Sequence, residues 1–333
     1  MSEQVSLALL ARPPYIEVPE GVAPTIHTEL PLRPRVARSA LYLSVLMLFV
    51  VGSRAFAQTR ASIATASGSD SARVPFRIPS EKHLRDSGYR LSALRGRALL
   101  LATRDSLPRN VGSSLRCASC HLDGGLRPNA MPWVGSYARF PQYRARSGRV
   151  DLIEDRINDC FARSLNGKPL ATSGRDMHDI VSYLAFLSSG IPVGAQMEGQ
   201  SVPRLKPLTG NLSRGVTLFA STCARCHGAD GQGTRLAPPV WGARSYNVGA
   251  GMANIIVAAS FIHATMPFDH AVHLTEQQAF DVATYIDTRP RPNFSAITRD
   301  WPRGGKPPGT GYHVVPLPGA PTAGEHTATV PAL

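Results

Sequence analysis

Two C-x-x-C-H runs, a helical pattern that recurs at an offset of 102 residues, and the lack of any strand-rich stretch predict an all-α fold. The predicted architecture is two cytochrome c-type domains joined by a linker, each enclosing one covalently attached haem. A chain of 333 residues with 43% hydrophobic content can form two cores of ordinary size. Disordered and fibrous classes are therefore excluded.

The two C-x-x-C-H runs predict haem attachment. They are Cys117-Ala-Ser-Cys120-His121 and Cys223-Ala-Arg-Cys226-His227. Two thiols three positions apart can reach the two vinyl groups of one porphyrin, and the adjacent histidine then faces the iron. A zinc site would instead need cysteine pairs separated by roughly 15–20 residues, and a thioredoxin-type pair would need a βαβ context. The expected cofactors are therefore two c-type haems, each containing one iron.

Each haem run lies between two helical patterns. Residues 179–184 and 281–286 match class for class at the offset of 102, and the two haem runs are 106 residues apart. An apolar stretch precedes each run, at 97–102 and at 215–219. Each half of the chain therefore carries a complete helical unit.

The helix that closes the second unit has clear start and stop signals. Thr275 and Gln278 are expected to form a capping box, and Pro290 ends the helix. The expected buried stripe of this helix consists of Ala279, Val282, Ala283 and Ile286.

Composition shifts divide the chain into six predicted segments. These are an N-terminal extension with a signal peptide (1–57), a leading segment (58–90), the first cytochrome c domain (91–192), a linker (193–207), the second cytochrome c domain (208–292) and a tail rich in proline and glycine (293–333). We expect the tail to be mobile or to wrap over the domains.

The first segment predicts export. An apolar run at 39–52 follows three arginines and precedes Ala55-Phe56-Ala57, which has the form of a signal-peptidase site. The run is shorter than the roughly 20 apolar residues of a spanning helix, so a retained membrane anchor is only the alternative. The predicted location is periplasmic, and export argues against nucleic acid as a partner.

The mature chain is predicted to be strongly basic. In the full chain Lys and Arg number 36 against 23 Asp and Glu, which gives a net charge of +13, and only four of the 36 are lysine. Residues 1–57 contain five Arg and four Glu, so their removal leaves +12. Guanidinium groups bind small oxyanions with paired hydrogen bonds, so this composition favours an anionic substrate. The alternative is an arginine-rich composition unrelated to any ligand. A basic surface also predicts salt-sensitive docking to a periplasmic electron acceptor such as a small cytochrome c.

A c-type haem also needs a second axial ligand or an open position. In the second unit the candidate is Met266, which precedes Pro267 after a predicted helix at 251–264. His263 is the rival ligand, whereas the i+3 and i+4 neighbours of Met252 favour a place in the core.

In the first unit the candidate is Cys160, which stands outside both haem runs. A helical pattern at 150–165 places Arg156, Cys160 and Ser164 on one stripe. Such a cysteine is either a small buried hydrophobe or a thiolate that positive charge stabilises. Met131 is the competing ligand, although it follows His121 by only ten residues.

Many short motifs resemble the dihaem cytochrome c thiosulfate dehydrogenase family. The resemblance extends from about Leu91 to Pro292. The motifs that carry it in the first half are residues 132–135, 140–146, 154–158, 163–164, 166–169 and 190–194, with Cys160 among them. Those in the second half are residues 223–233, 238–242, 249–252, 266–267 and 289–292.

The resemblance implies a tetrathionate-forming enzyme. It implies that His121 and Cys160 ligate the first haem iron, and that His227 and Met266 ligate the second. The substrate-site residues that it implies are Arg146, Arg156 and Ser164. In some members a lysine before the methionine exchanges with it at the iron; Thr265 stands at that place here, which puts such an exchange in doubt.

The residues agree with this chemistry. Joining two thiosulfates releases two electrons, which two haems can hold. The forks of Arg146 and Arg156 can clamp the oxygens of the dianion while Ser164 donates a further hydrogen bond. We expect Cys160 to bond the sulfane sulfur of one thiosulfate before the second attacks. The structural alternative is that Arg156 merely pairs with Glu154, Asp159 or a haem propionate.

Three alternative functions remain open from the sequence. The same site could reduce tetrathionate in the reverse direction. A dihaem electron carrier without its own substrate would not need the arginine and cysteine helix. A dihaem peroxidase would need a labile haem ligand and a nearby catalytic acid.

Overall fold

The structure of the protein, a computed structural model, describes residues 73–270 and 272–314. The predicted signal peptide and the last part of the tail lie outside the described residues. Within the described part of the chain, no helix is long and apolar enough to cross a membrane.

Helices dominate the described residues, as the sequence predicts. The α-helices are α1 (Ser87–Leu101), α2 (Thr103–Ser106), α3 (Leu122–Gly125), α4 (Ile153–Arg163), α5 (Arg175–Phe186), α6 (Leu212–Leu218), α7 (Ala224–His227), α8 (Ile255–Thr265) and α9 (Glu276–Asp287). The two strands, β1 (Gln142–Arg144) and β2 (Arg149–Asp151), form an antiparallel hairpin with Tyr143 opposite Val150.

The same helix pair forms the base of each domain. In the first domain α1 packs against α5, and in the second α6 packs against α9. The helices approach most closely at Gly96 and Gly215, where a Cβ atom would lie 1.9 Å from the carbonyl oxygen of Asp179 and 2.1 Å from that of Asp281. Only glycine permits this approach.

The residue before each of these glycines is an arginine that bonds the facing helix. Arg95 bonds the carboxylate of Asp179, and Arg214 bonds that of Asp281 at 2.6 and 3.0 Å. Both carboxylates are almost fully buried. The sequence repeat thus corresponds to a repeated tertiary contact.

The closing helix of the second domain begins as predicted. Thr275 accepts from the backbone N–H of Gln278, and the Gln278 side chain accepts from the backbone of Thr275. The expected stripe of four apolar residues is buried, with exposed fractions between 0 and 7%.

The helical pattern at 150–165 was wrong at its first residues. Residues 149–151 form β2, and α4 begins only at Ile153. Val150 and Leu152 are more than half exposed, whereas Asp151 and Ile153 are buried. This alternation has the period of a strand, so the chain is extended until Asp155 accepts the N–H of Leu152 and starts the helix.

A small apolar cluster connects the two domains, and it includes Leu122, the residue after the first haem run. Leu122 and Ala130 of the first domain pack against Phe261 of the second. Met252 and Met266 contact the same cluster.

The described part of the tail wraps back over the first domain. After a short 3-10 turn at Ser295–Arg299, Asp300 and Trp301 are buried. The backbone N–H of Trp301 donates to the carbonyl of Arg146 at 2.9 Å. The tail therefore contributes to the surroundings of the hairpin that carries Arg146.

Candidate haem sites and a cysteine–arginine site

The two predicted proximal histidines have the same kind of partner at Nδ1, a backbone carbonyl. His227 Nδ1 lies 2.7 Å from the carbonyl oxygen of Pro238, and His121 Nδ1 bonds the carbonyl of Met131. In each case the bond leaves Nε2 available to an iron and sets the tautomer that ligation requires. Burial lowers the pKa of His121 to about 4 and also lowers that of His227, so both imidazoles stay neutral, as a metal ligand must be.

Several buried guanidinium groups in the described residues fit an anionic cofactor. A nitrogen with no hydrogen-bond partner is buried at each of four arginines, which are Arg127, Arg144, Arg289 and Arg291. Unpaired buried donors are costly, and the propionates of a haem would supply acceptors for them. Together with the two C-x-x-C-H runs, these donors fit two c-type haems.

Three side chains bear on the second ligand of the second haem. Met266 follows the last residue of α8 and is half-buried against the cluster between the domains. His263 is exposed, with Nδ1 at 2.9 Å from the carbonyl oxygen of Leu274. The buried hydroxyl of Thr265 donates to the carbonyl of Phe261 at 2.7 Å. Of the three, Met266 is best placed to be the ligand.

In the first domain Met131 and Cys160 have different positions. The carbonyl of Met131 bonds the proximal histidine, so Met131 lies on the same side as His121. Burial raises the pKa of the Cys117 and Cys120 thiols to about 12, and Cys160 is close enough for a charge on its sulfur to raise both further. Cys160 is thus the better candidate for the opposite side.

Cys160 and Arg156 meet one turn apart on α4, as the sequence stripe predicts. Arg156 Nη1 lies 2.7 Å from Cys160 Sγ. The electrostatic interaction with this sulfur is the first reason why the pKa of Arg156 is raised. Asp159 Oδ2 is also 4.0 Å from Arg156 Nη1, so the predicted alternative of an ion pair is present beside the sulfur contact.

Two further arginines reach this site. Burial, followed by the positive charge of Arg156, lowers the pKa of both Arg139 and Arg144. Arg144 Nη2 is 3.9 Å from Asp159 Oδ2. Asp159 and the Cys160 sulfur both raise the pKa of Arg144 and so offset part of this lowering. Sequence reasoning missed both residues. A signal for Arg144 existed, because in an extended segment it shares one face with Arg146.

Arg146 enters the same network from the hairpin. Its Nη1 donates to the carbonyl of Gly249 at 3.0 Å, and Arg163 Nη1 reaches the same oxygen at 3.4 Å. Arg163 in turn bonds Asp159. Among the described residues, no hydrogen bond or ion pair joins Arg146 directly to Cys160.

Ser164 is the last predicted site residue. It caps the C-terminal end of α4 and is half-buried. α4 therefore carries Arg156, Cys160 and Ser164 on successive turns, whereas Arg144 and Arg146 approach from the hairpin. A cysteine sulfur in contact with one guanidinium, with further arginines on neighbouring elements, suits a reaction with a sulfur oxyanion.

Comparisons with known proteins match both halves of the chain. The family model "SoxA/TsdA, cytochrome c domain" matches residues 110–193, and the model "Cytochrome C oxidase, cbb3-type, subunit III" matches residues 210–286. Each matched range of this chain includes one of the two C-x-x-C-H runs.

Curated relatives extend the similarity over most of the chain. A thiosulfate dehydrogenase of Psychrobacter arcticus is 40% identical over 73% of this chain and 77% of its own length. One of Allochromatium vinosum is 42% identical over 68% of this chain and 88% of its own length.

A solved structure is similar as well. It is the as-isolated thiosulfate dehydrogenase (TsdBA) of Marichromatium purpuratum, with a TM-score of 0.63 and 38% identity. The similarity covers 66% of this chain and 50% of that one, so the chain spans half the length of this neighbour.

Proposed function

Because the chain belongs to the thiosulfate dehydrogenase family, we propose that it oxidises thiosulfate, joining two molecules into tetrathionate. The electrons leave through two covalently attached c-type haems. The single observation that carries the proposal within this chain is the 2.7 Å contact between Arg156 and the Cys160 sulfur, next to the first haem run. A pure electron carrier would have no use for this contact.

The proposed haem ligands are those that the sequence predicts. Cys117 and Cys120 attach the first haem, and its iron is held by His121 and Cys160. The second haem is attached by Cys223 and Cys226, with ligands His227 and Met266. When bound, the haems accept the two electrons of the reaction one at a time.

The proposed covalent step balances with these two electrons. The thiolate of Cys160 and one thiosulfate form a sulfur–sulfur bond, and two electrons are lost. The sulfane sulfur of the second thiosulfate then attacks the sulfane sulfur on the cysteine. Tetrathionate leaves, and the thiolate of Cys160 is regenerated. Without the oxidation the first bond cannot form, so turnover needs an electron acceptor.

The arginines have two proposed tasks in this step. Arg156 stabilises the thiolate of Cys160 by a charge-assisted hydrogen bond. Arg144 and Arg146 reduce the repulsion between two dianions and orient the sulfonate oxygens. Ser164, one turn beyond Cys160, is proposed to donate a hydrogen bond to the same oxyanion.

We propose a periplasmic location and a soluble electron acceptor. The predicted signal at 39–57 supports export. The net charge of +13 supports an acidic acceptor such as a small cytochrome c, with a rate that falls as salt rises. We do not expect the mature protein to be retained in the membrane.

An anaerobic titration with thiosulfate tests the function. The full chain, purified with its haems, should show reduction of the second haem, and one tetrathionate should form for every two electrons passed to ferricyanide. Reduction of the haems by thiosulfate, with no tetrathionate added, would demonstrate the forward reaction. Oxidation of the pre-reduced protein by tetrathionate alone, without the forward reaction, would instead assign the reverse activity. If neither anion changes the spectrum, the protein is an electron carrier.

A further inference from the structure

We propose that the tail is part of the substrate site, because Asp300 and Tyr312 position the guanidinium of Arg146. The proposal rests on the proposed function, in which Arg146 binds the anion. It concerns a part of the chain that neither family model covers, since they end at residues 193 and 286.

Asp300 is a buried carboxylate between two guanidinium groups. Its side chain is only 3% exposed, and it accepts from Arg163 Nη1 at 2.9 Å and from Nη2 at 2.6 Å. Arg146 Nε lies 3.7 Å from Asp300 Oδ2, the oxygen that also accepts from Arg163 Nη1. Removing one member of such a buried charge cluster leaves the others without partners.

Tyr312 connects the same two groups. Its hydroxyl donates to Asp300 Oδ2 at 2.6 Å and lies 3.4 Å from Arg146 Nη2. Burial, together with the hydrogen bond to Asp300, raises the pKa of Tyr312, so the phenol stays protonated and keeps donating. The hydroxyl therefore completes a ring of polar contacts around the carboxylate.

Aromatic residues of the tail also fix the planes of both arginines. The Trp301 ring lies 4.6 Å from the guanidinium carbon of Arg146, and the Phe294 ring lies 4.6 Å from that of Arg163. The backbone of Trp301 bonds the backbone of Arg146 as well. Side chain and main chain of Arg146 are thus both held by the tail.

The position of Arg163 does not depend on Asp300 alone. Arg163 also bonds Asp159 on its own helix and stacks on Phe294. Arg146 depends more on the tail, because its contacts with Asp300, Tyr312 and Trp301 all come from the tail, and only the Gly249 carbonyl lies outside it. Loss of Asp300 should therefore displace Arg146 more than it displaces α4 with Cys160. We expect anion capture to weaken while the chemistry at the sulfur continues.

Asp300→Asn and Tyr312→Phe test the proposal in the haem-loaded full chain. Asp300→Asn should raise KM for thiosulfate about tenfold with kcat within about twofold of the wild type, because binding is lost and not transition-state stabilisation. Tyr312→Phe should raise KM about threefold, although it leaves the charge of the site unchanged. Both increases should persist at high ionic strength.

The matched control is Asp281→Asn. Asp281 is also a buried carboxylate bound to an arginine, but it lies at the base of the second domain. This variant should lower the melting temperature as much as Asp300→Asn does and leave KM unchanged. Thermal unfolding measured beside the kinetics thus separates loss of stability from loss of positioning.

The other outcomes overturn the inference. An unchanged KM in Asp300→Asn would show a purely structural role for the tail. A lower KM would show that Asp300 acts only by its charge, since its removal makes the site more positive. A wild type that does not oxidise thiosulfate would contradict the proposed function, whereas an active wild type with unaffected variants would contradict only the role of the tail.

Discussion

At the residue scale, the proposed reaction depends on one sulfur and the guanidinium that faces it. Cys160 and Arg156 are four residues apart on α4, so the helix itself brings them together. Asp159, on the adjoining stripe, balances the charge of Arg156 and Arg163. In the proposed reaction, the thiolate of Cys160 is therefore stabilised by Arg156, whose charge Asp159 partly offsets.

Replacing Cys160 should stop turnover but leave the rest of the protein in place. In Cys160→Gly we expect both haems to remain attached, because the attaching cysteines are elsewhere, and the spectrum of the second haem to be unchanged. The rate of tetrathionate formation should fall by about a thousandfold or more, since the covalent route is lost. Spectra and steady-state rates on one preparation check this. Retained activity would remove the cysteine from the reaction.

Replacing Arg156 tests the guanidinium. Arg156→Lys keeps the charge but loses the planar fork, so kcat/KM for thiosulfate should fall about 10- to 100-fold. The matched control is Arg175→Lys, a residue of the same domain whose side chain is 82% exposed and which pairs only with Asp179. That control should stay within about twofold of the wild type. Equal effects in the two variants would mean that Arg156 is an ordinary surface ion pair.

At the element scale, each domain depends on a helix crossing in which glycine and arginine have separate tasks. Gly96 and Gly215 let the backbones approach, and the preceding arginines bond the buried aspartates of the closing helices. In the second domain the C-x-x-C-H run begins within the turn Phe219–Cys223 that follows α6, whereas in the first domain α2 and a loop lie between α1 and Cys117.

Substituting the crossing glycines should destabilise the fold. In Gly215→Ala the new Cβ would lie 2.1 Å from the Asp281 carbonyl oxygen, so the two helices must separate. We expect a loss of about 2–4 kcal/mol in the free energy of unfolding. Gly251→Ala is the control, because no atom lies within 4 Å of its Cβ position. Denaturation of both variants measures the difference; equal stabilities would show that the crossing tolerates a methyl group.

At the scale of the whole molecule, stability should depend on pH through two carboxylates of α9 whose pKa values are shifted in opposite directions. Asp287, near the end of α9, is 19% exposed and lies 3.4 Å from Arg291. Burial raises its pKa from 3.8 to about 6, and Arg291 offsets only part of that effect. Burial would also raise the pKa of Asp281, but hydrogen bonds from Arg214, Asn211 and Gln277 hold it below its usual value.

Asp287→Asn should therefore stabilise the protein at neutral pH. Because the folded pKa is above the unfolded one, folding favours the protonated carboxyl, and stability falls as pH rises from about 4 to above 6. The amide removes this penalty, so the variant should gain about 1–2 kcal/mol at pH 7.5 and nothing at pH 4. Melting temperatures at the two pH values check this. The same difference at both values would contradict the assignment.

Asp281→Asn should have the opposite sign. A depressed folded pKa contributes stability above the unfolded pKa, and this contribution is lost as pH falls through the folded pKa. The variant should therefore be less stable than the wild type at pH 7.5, and the difference should shrink in acid. Thermal unfolding from pH 7.5 to pH 3 measures it. A deficit that does not depend on pH would show that only packing was lost.

The sequence by itself determined the features that lie within one short segment of chain. The haem runs, the capping box at Thr275 and the stripe that joins Arg156 to Cys160 depend on spacings of three to four residues, which one helical turn sets. These features could be predicted because their geometry follows from the backbone alone. The predicted export signal also depends on a local pattern, but it lies outside the described residues.

Only the tertiary structure decided which distant groups join the site. Arg163 and Asp300 are 137 positions apart, and Arg146 and Gly249 are 103 apart, so no local period connects them. The hairpin of β1 and β2 brings Arg144 to Asp159 on α4. The packing of the tail brings Asp300 and Tyr312 to Arg146. Such contacts depend on how complete domains pack, because burial of many apolar side chains, and not one residue spacing, selects them.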